Sequence, residues 1–317
     1  MECGRIVEKV AVVILNYNTF EDAVICVDSI KNLTKGVAYK IYLVDNASPD
    51  GSGKQLDEKY GDDLDVEVII SESNRGFSGG NNLGIQAALK EGYEYIYLLN
   101  SDIILTNDAL SLMQEAFKSS SDIAVVGPAV FSKENKYMQY ARKGITLTTY
   151  LSSQRSLSTL FPKLNDKLRY FSFNQSEDFA SEGMVSGCCF GMRANFIRQN
   201  NCMDENVFMY YEEDILAHLM KESGQKAKIA AKAQVIHNEA VSTKKNGVDH
   251  LLFTRFYRWT SVLYVLKNYA KVNAFLCKMM SMQNILIWHM LSLTNKKYRQ
   301  KLREFIFENK KMLKKAI

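Results

Sequence analysis

No CxxC spacing occurs among the six cysteines of this 317-residue chain (Cys3, Cys26, Cys188, Cys189, Cys202 and Cys277). That removes the usual zinc-ribbon and dithiol redox readings. Cys188 and Cys189 are adjacent, where a mutual disulfide would be strained, so the cysteines are expected to be small core residues in a reducing cytosol. The first nine residues carry Glu2, Arg5, Glu8 and Lys9 in place of an apolar signal region. No uninterrupted apolar stretch reaches the roughly 18 residues of a spanning helix. The best approach to one, Ala274 to Leu293, is broken by Lys278, Gln283, Asn284 and His289. These absences predict a cytoplasmic protein, either free or peripheral on the inner face of the cell membrane. There is no GxGxxG and no GK[ST], which removes the dinucleotide and P-loop fingerprints. Internal repeats and low-complexity linkers are also missing.

What remains is ordinary globular composition, 47% hydrophobic and 24% charged, in a chain long enough for a full core. The formal charge of +5 is a mild surplus concentrated after Lys296, so no nucleic-acid partner is expected. Val10 to Leu15 is a continuous apolar, β-branched run, the pattern of a strand buried on both faces. A helical pattern follows from Phe20 to Leu33, with Ala23, Val27 and Ile30 on one face. A second strand ends at Asp45, a short helix ends at Tyr60, and a third strand spans Val66 to Ile70. A fourth, Tyr95 to Leu99, delivers Asn100-Ser101-Asp102 ahead of a helix over Asn107 to Lys118. Strand, turn and helix alternate four times, which predicts an α/β fold with a mostly parallel central sheet flanked by helices. Ile123 to Phe131 is a further strand, and Ser132 to Asp178 is expected to be an irregular surface excursion. A β pattern resumes at Met184 to Met192, a helix spans Glu212 to Glu222, and a short strand over Ala233 to Ile236 ends at His237. From Leu251 onward the pattern is helical.

In an open α/β sheet, ligands sit outside the carboxyl ends of the strands. Asp45 and Asp102 each close an apolar run, and Asn74-Arg75-Gly76-Phe77-Ser78-Gly79-Gly80-Asn81-Asn82 lies between them in the chain. Asp45 can accept a hydrogen bond from a nucleobase ring N–H, or it can simply start the Asn46 to Ser52 turn. The glycine- and asparagine-rich stretch reads as a turn that brings backbone N–H groups to an anion and opens a helix at Asn82, or as a tight helix start capped by asparagine. Asp102 could hold a divalent cation completed by diphosphate and water, or cap the next helix. Glu212-Glu213-Asp214 is the densest acid cluster. At a helix start it complements the dipole; in an aromatic-flanked pocket one member can act as a general base. His237, at a strand end, is placed as a ligand to metal or diphosphate or as a satisfied turn histidine.

Taken in order, Val12 to Asn18, Val44 to Ser52, Asn74 to Gly84, Leu98 to Asp102, Asp204-Glu205 with Phe208 to Glu213, and His237 resemble the successive blocks of family-2 glycosyltransferases, near the rhamnosyltransferase-like members of bacterial polysaccharide synthesis. The resemblance covers residues 8 to 245 and implies a GT-A fold, an inverting mechanism and a divalent cation, Mg or Mn. It implies that Asp45 holds the nucleobase of a UDP- or dTDP-linked sugar, with Asn16 and Tyr17 lining the pocket. Leu15, Asn46, Asn100 and Ser101 would also lie against the donor, and Asn74, Gly76 and Asn81 would approach its ribose and diphosphate. Asp102 and His237 would be metal ligands. Glu213 stands where the family usually has a basic aspartate, and Asp214 is its alternative. Asn100 departs from the first acid of the family's metal motif. The implied domain plan is a catalytic unit over 1–245, with a nucleotide-binding half at 8–131 and an acceptor half at 132–245, followed by a helical extension over 246–317. The implied acceptor is a saccharide or a polyprenyl-diphosphate-linked sugar. Lys301 to Lys315 places Leu302, Phe305, Ile306 and Leu313 on one lysine-flanked helical face suited to an anionic membrane. Two rival readings are a nucleotidyltransferase, which lacks here a basic glycine-rich N-terminal signature, and a silent carbohydrate-binding protein, which would have little use for the acid cluster.

Overall fold

The computed structural model describes residues 9–153, 155–238, 248–282, 299–300, 302–303 and 306–307. The first half alternates as expected: β1 (Lys9–Asn16), α1 (Phe20–Leu33), β2 (Ala38–Asp45), α2 (Ser52–Tyr60), β3 (Val66–Ile70), α3 (Gly76–Lys90) and β4 (Tyr95–Asn100). A short β5 (Ile103–Leu105), α4 (Ala109–Lys118) and β6 (Ile123–Phe131) complete it. The 132–178 stretch is less irregular than expected, because it holds three short helices: α5 (Leu147–Ser152), α6 (Arg155–Leu160) and α7 (Pro162–Arg169). Then come β7 (Phe179–Ser181), β8 (Cys189–Arg193), α8 (Ala194–Gln199), α9 (Glu212–Glu222), β9 (Lys226–His237) and α10 (Val248–Asn268).

The strand order is β3-β2-β1-β4-β8-β6-β9-β5, with β7 paired to β9. The β3, β2, β1 and β4 block is parallel throughout. Beyond β4 the sheet is mixed: β8 runs antiparallel to β4 and β6, β6 is parallel to β9, and β5 is antiparallel to β9. The predicted mostly parallel sheet is thus parallel in its N-terminal half. β9 is far longer than the predicted 233–236, because its first part pairs with β6 and β7 through Lys226 to Ala230.

Alternate residues of β1 enter different cores, as a strand covered on both faces requires. Val10, Val12 and Ile14 pack with Ala23, Val27 and Ile30 of α1 and with Met113 and Phe117 of α4. Ala11 and Val13 pack with Ile85 of α3, Phe196 of α8 and Leu216 of α9. A third cluster joins Phe256, Leu263 and Leu266 of α10 to Val207 and Ile215. Asp204 accepts hydrogen bonds from Tyr264 and Tyr269, each at 2.8 Å, which ties the end of α10 to the same segment. Leu302 is buried in this third cluster, so it is not free for a membrane. Of the other three residues of the predicted face, Ile306 is exposed, and Phe305 and Leu313 lie outside the described residues. No described helix is long and apolar enough to cross a membrane.

Candidate active site

Sheet register sets the first part of the site. Asn16 stands opposite Asp45, and Leu15 opposite Asn100, so the carboxyl ends of β2, β1 and β4 form one rim. The Asp45 carboxylate is buried; Oδ1 accepts from the Asn16 amide at 2.7 Å and the Ser48 hydroxyl at 2.6 Å, and Oδ2 from the Ser48 N–H at 3.0 Å. It therefore organises its own turn. Thr19 joins that turn to β4: its hydroxyl lies 2.9 Å from Asn16 Oδ1 and 2.8 Å from Ser101 Oγ. Tyr17 is exposed at the rim.

The glycine-rich stretch differs from its sequence reading. It is not a turn ahead of a helix at Asn82, because α3 already begins at Gly76. Only Asn74 and Arg75 form the turn, and Asn46 clamps it: its amide donates to Asn74 Oδ1 at 3.1 Å and Gly76 O at 3.0 Å and accepts from Arg75 N–H at 3.0 Å. Asn46 and Gly76, both expected at the donor, are joined to each other by this clamp. Gly76 has φ +72°, and a Cβ there would lie 2.2 Å from the Phe208 carbonyl oxygen, so the glycine serves contact with the 207–211 segment. Gly80 and Gly84 let α3 seat on Leu15, Asn46 and Val13. Asn81 donates to Phe77 O at 2.9 Å inside the helix, while its buried Oδ1 has no protein partner. Asn82, read from sequence as a helix start, holds Met203 and Glu205 in place.

At the end of β4, Asp102 Oδ1 lies 3.3 Å from His237 Nε2, since β5 and β9 pair with Ile103 opposite His237. Asp22, in the first turn of α1, is a neighbour the sequence did not flag; burial and then Asp102 push its carboxyl above the usual range. Among the described residues no group of three or more His, Cys, Asp or Glu side chains is arranged to hold a metal ion. One carboxylate and one imidazole nonetheless fit a cation that draws its remaining oxygens from diphosphate and water. The donor set suits a shared ion and not one caged by protein.

The acid cluster opens α9 after two successive residues with left-handed backbone, Tyr210 (φ 72°) and Tyr211 (φ 71°). Backbone strain of this kind on bulky residues persists only where surrounding structure enforces it. Helical spacing then turns the three acids in different directions. Glu212 is buried, with Oε1 unpartnered, and burial followed by Glu213 pushes its carboxyl up to about 8. Asp214, the alternative base, has no side-chain exposure; its Oδ2 lies 2.7 Å from Arg142 Nη2, and its Oδ1 accepts the Ile145 N–H at 2.8 Å. Burial pushes it up to about 7, although Arg142 opposes the shift. Glu213 is half-buried and lies against Gly187, where a Cβ would fall 2.3 Å from Oε1.

Cys188 connects the two acidic centres. Its carbonyl accepts the Asn100 N–H at 2.9 Å, and its thiol is pushed up to about 12 by burial and then by both Asp102 and Glu213. Both carboxylates thus act electrostatically on one buried thiol, whose own backbone is bonded to the strand end at Asn100. Arg142 and Gly187 were missed as neighbours of the acids because each sits in a stretch whose pattern gives no hint of its partner.

Residues 11–200 match the sequence family described as Glycosyl transferase family 2. The chain is similar to the low-salt glycan biosynthesis hexosyltransferase Agl10 of Haloferax volcanii, 25% identical over 256 residues that cover 78% of this chain and 73% of the relative. It is 22% identical to the N-acetylglucosaminyl-diphospho-decaprenol L-rhamnosyltransferase of Mycobacterium tuberculosis over 219 residues, 67% of this chain and 70% of that one. Among solved structures, GalNAc-T7 with UDP, GalNAc and Mn2+ superposes with a TM-score of 0.55 at 14% identity, covering 88% of this chain and 55% of that chain. At that identity the likeness speaks for the GT-A fold alone. With 190 of 317 residues inside the family match, the chain belongs to glycosyltransferase family 2.

Proposed function

We propose that the protein is an inverting glycosyltransferase that moves a hexose or deoxyhexose from a UDP- or dTDP-linked donor to an acceptor hydroxyl in cell-surface glycan synthesis. The observation that supports this reading is that Asp102, paired with His237 at 3.3 Å, and Glu213 both act electrostatically on the buried Cys188 thiol. The relatives' names include a hexosyltransferase of glycan biosynthesis and a rhamnosyltransferase.

Single displacement requires the acceptor oxygen to attack the anomeric carbon from the face opposite the departing nucleoside diphosphate. The new C–O bond forms as the bond from C1 to the phosphate oxygen breaks, and the hydroxyl proton goes to Glu213. Gly187 leaves Glu213 the room to sit there, and buried Glu212 and Asp214 hold the first turn of α9. Asp102 and His237 would hold a divalent cation, Mg or Mn, whose contribution is to neutralise charge on the departing diphosphate. Asn16 and Ser48 fix the Asp45 carboxylate at the rim assigned to the nucleobase, beside the exposed Tyr17. In this reading residues 1–245 form the catalytic unit and 246–317 its helical extension.

The test is nucleotide release. Sugar nucleotides are screened by thermal shift with and without Mn2+, and UDP or dTDP is then measured on adding acceptor. Acceptor-dependent release is expected. Donor binding without any turnover over a broad acceptor set would favour the silent carbohydrate-binding reading.

A further inference from the structure

In the excursion between β6 and β7, one helical corner carries apolar side chains that the fold leaves uncovered. α6 ends at Leu160 and α7 begins at Pro162, so Phe161 is the whole connection between them. Residues 159–164 are exposed without a break, which makes the corner a projection from the surface. Leu160 is 70% exposed, Phe161 56% and Leu164 54%, and Leu151 of α5, which packs against both helices, is 45% exposed. A single exposed leucine is ordinary on a protein surface, but four large apolar side chains on three touching helices mark an interaction site. α7 is also built the wrong way round for water. Its one buried residue is Asn165, whose Oδ1 accepts from the Ser152 hydroxyl of α5 at 3.3 Å, while the neighbouring Leu164 is exposed. A helix that meets only solvent would turn the leucine inward and the asparagine out.

The charge around the corner has one sign. Residues 155–169 hold Arg155, Lys163, Lys167 and Arg169 against Asp166 alone, and Lys163 and Lys167 are exposed. Large apolar side chains on a projecting corner, with lysines beside them, are the means by which a helix lies in the headgroup region of an anionic bilayer. Such contact stays at the surface, since no described helix is long and apolar enough to cross a membrane. The corner is tied to the candidate active site through main-chain and ion-pair contacts. At the end of α7 the Arg169 carbonyl accepts the Lys143 N–H at 2.8 Å, and Arg142 beside it holds Asp214, the residue after Glu213, at 2.7 Å. α7 has eight residues. The corner therefore stands about 12 Å, one short helix, from that junction.

We propose that the α6–α7 corner is a docking surface for an anionic lipid bilayer, with Leu160, Phe161 and Leu164 entering the headgroup region and Lys163 and Lys167 meeting the lipid charge. This moves the membrane contact away from the expected 301–315 face, whose Leu302 is buried in the α10 cluster. The docking goes beyond the proposed transfer and does not depend on it.

The experiment floats the full chain, without sugar nucleotide, on vesicles of phosphatidylcholine alone and of phosphatidylcholine with about one third phosphatidylglycerol. Wild type is expected to bind the anionic vesicles, and less strongly as salt rises. Leu160→Ser/Phe161→Ser/Leu164→Ser should bind them about tenfold or more weakly. All three side chains are exposed, so the Tm of this variant should stay near wild type. Lys163→Glu/Lys167→Glu should lose about tenfold or more on anionic vesicles, and adding salt should narrow its difference from wild type. Phe275→Ser/Met279→Ser alters two other exposed apolar side chains and is expected to float as wild type. The surface is overturned if wild type does not float, if it binds neutral and anionic vesicles equally, or if the triple serine variant floats as wild type does. A loss confined to Phe275→Ser/Met279→Ser overturns it as well, by placing the contact elsewhere on the chain. If flotation follows the corner and no sugar nucleotide is turned over, the transferase reading fails while the docking surface stands.

Discussion

Gly187→Ala probes the proposed base, Glu213, without substituting it. The added methyl would lie 2.3 Å from Glu213 Oε1, 2.9 Å from Cδ and 3.1 Å from Cγ, against 3.4 Å or more in ordinary contact. The carboxylate must therefore retreat by about 1 Å, and a misplacement of about 1 Å at a reacting group can cost about 100-fold in rate. The clash is with the far end of a flexible side chain, and Gly187 does not have a left-handed φ, so the fold should absorb it with a stability change within about 1 kcal/mol. The expected signature is a kcat lowered by about 100-fold, with donor affinity and Tm near wild type. Glu213→Gln should lower kcat by about two orders of magnitude or more, and the double variant should lose little beyond the worse single one, because both changes disable one group. Pre-steady-state turnover with saturating donor separates the chemical step from release. Wild-type kcat in Gly187→Ala beside an inactive Glu213→Gln would show that the base does not work from this position. Near wild-type kcat in both would place the base elsewhere.

Three further outcomes follow from the geometry. Asp102→Asn should weaken donor binding measured with Mn2+ by about tenfold or more and leave cation-free binding little changed; an identical Mn2+ titration would remove its assigned role. Gly76→Ala combines a left-handed φ with a Cβ 2.2 Å from a backbone oxygen, so a loss of about 2 kcal/mol or more is expected in chemical denaturation, and wild-type stability would mean the 207–211 segment is not seated on α3. Glu212 holds its proton up to about 8 when folded, above the ordinary carboxyl value of 4.5, so it favours the folded state at low pH and that contribution is lost as pH rises from about 4.5 through about 8. Glu212→Gln should therefore raise Tm more at pH 8 than at pH 5, and a pH-independent difference would show that the carboxyl is not held neutral by burial.

Periodicity made the first half of the fold legible because each element there follows one local rule. The apolar run at Val10 to Leu15 becomes a strand buried on both faces, and the Ala23, Val27 and Ile30 stripe becomes the buried face of α1. α3 was the exception. Glycine and asparagine have poor helix propensity, so Gly76 to Asn82 reads as a turn, yet helix-to-sheet contact outweighs a propensity cost of up to about 1 kcal/mol per glycine. Glycine is the one residue whose absent side chain admits Leu15, Asn46, Val13 and the Phe208 carbonyl. The first part of β9 was hidden for a different reason: its alternating lysines and alanines look polar, and only pairing with β6 and β7 fixes it as strand.

The same division runs through the site. Residues at strand ends, Asn16, Asp45, Asp102 and His237, could be named from sequence because a strand's last residue lands on the rim whatever its partners are. The acids of α9 could not be sorted that way, because three consecutive carboxylates differ only in what each one meets in space. Asp214 meets Arg142, 72 positions earlier and inside a polar stretch with no periodic signal, and becomes a buried ion pair. Removing either partner of such a pair costs about 3–5 kcal/mol by leaving a charge unpaired, so the pair holds the helix start. Glu213 meets a glycine, and the vacancy left by that missing Cβ is what makes it the accessible acid of the three. In the proposed mechanism the choice of Glu213 over Asp214 thus depends on Arg142 and Gly187, two residues given no catalytic role in it.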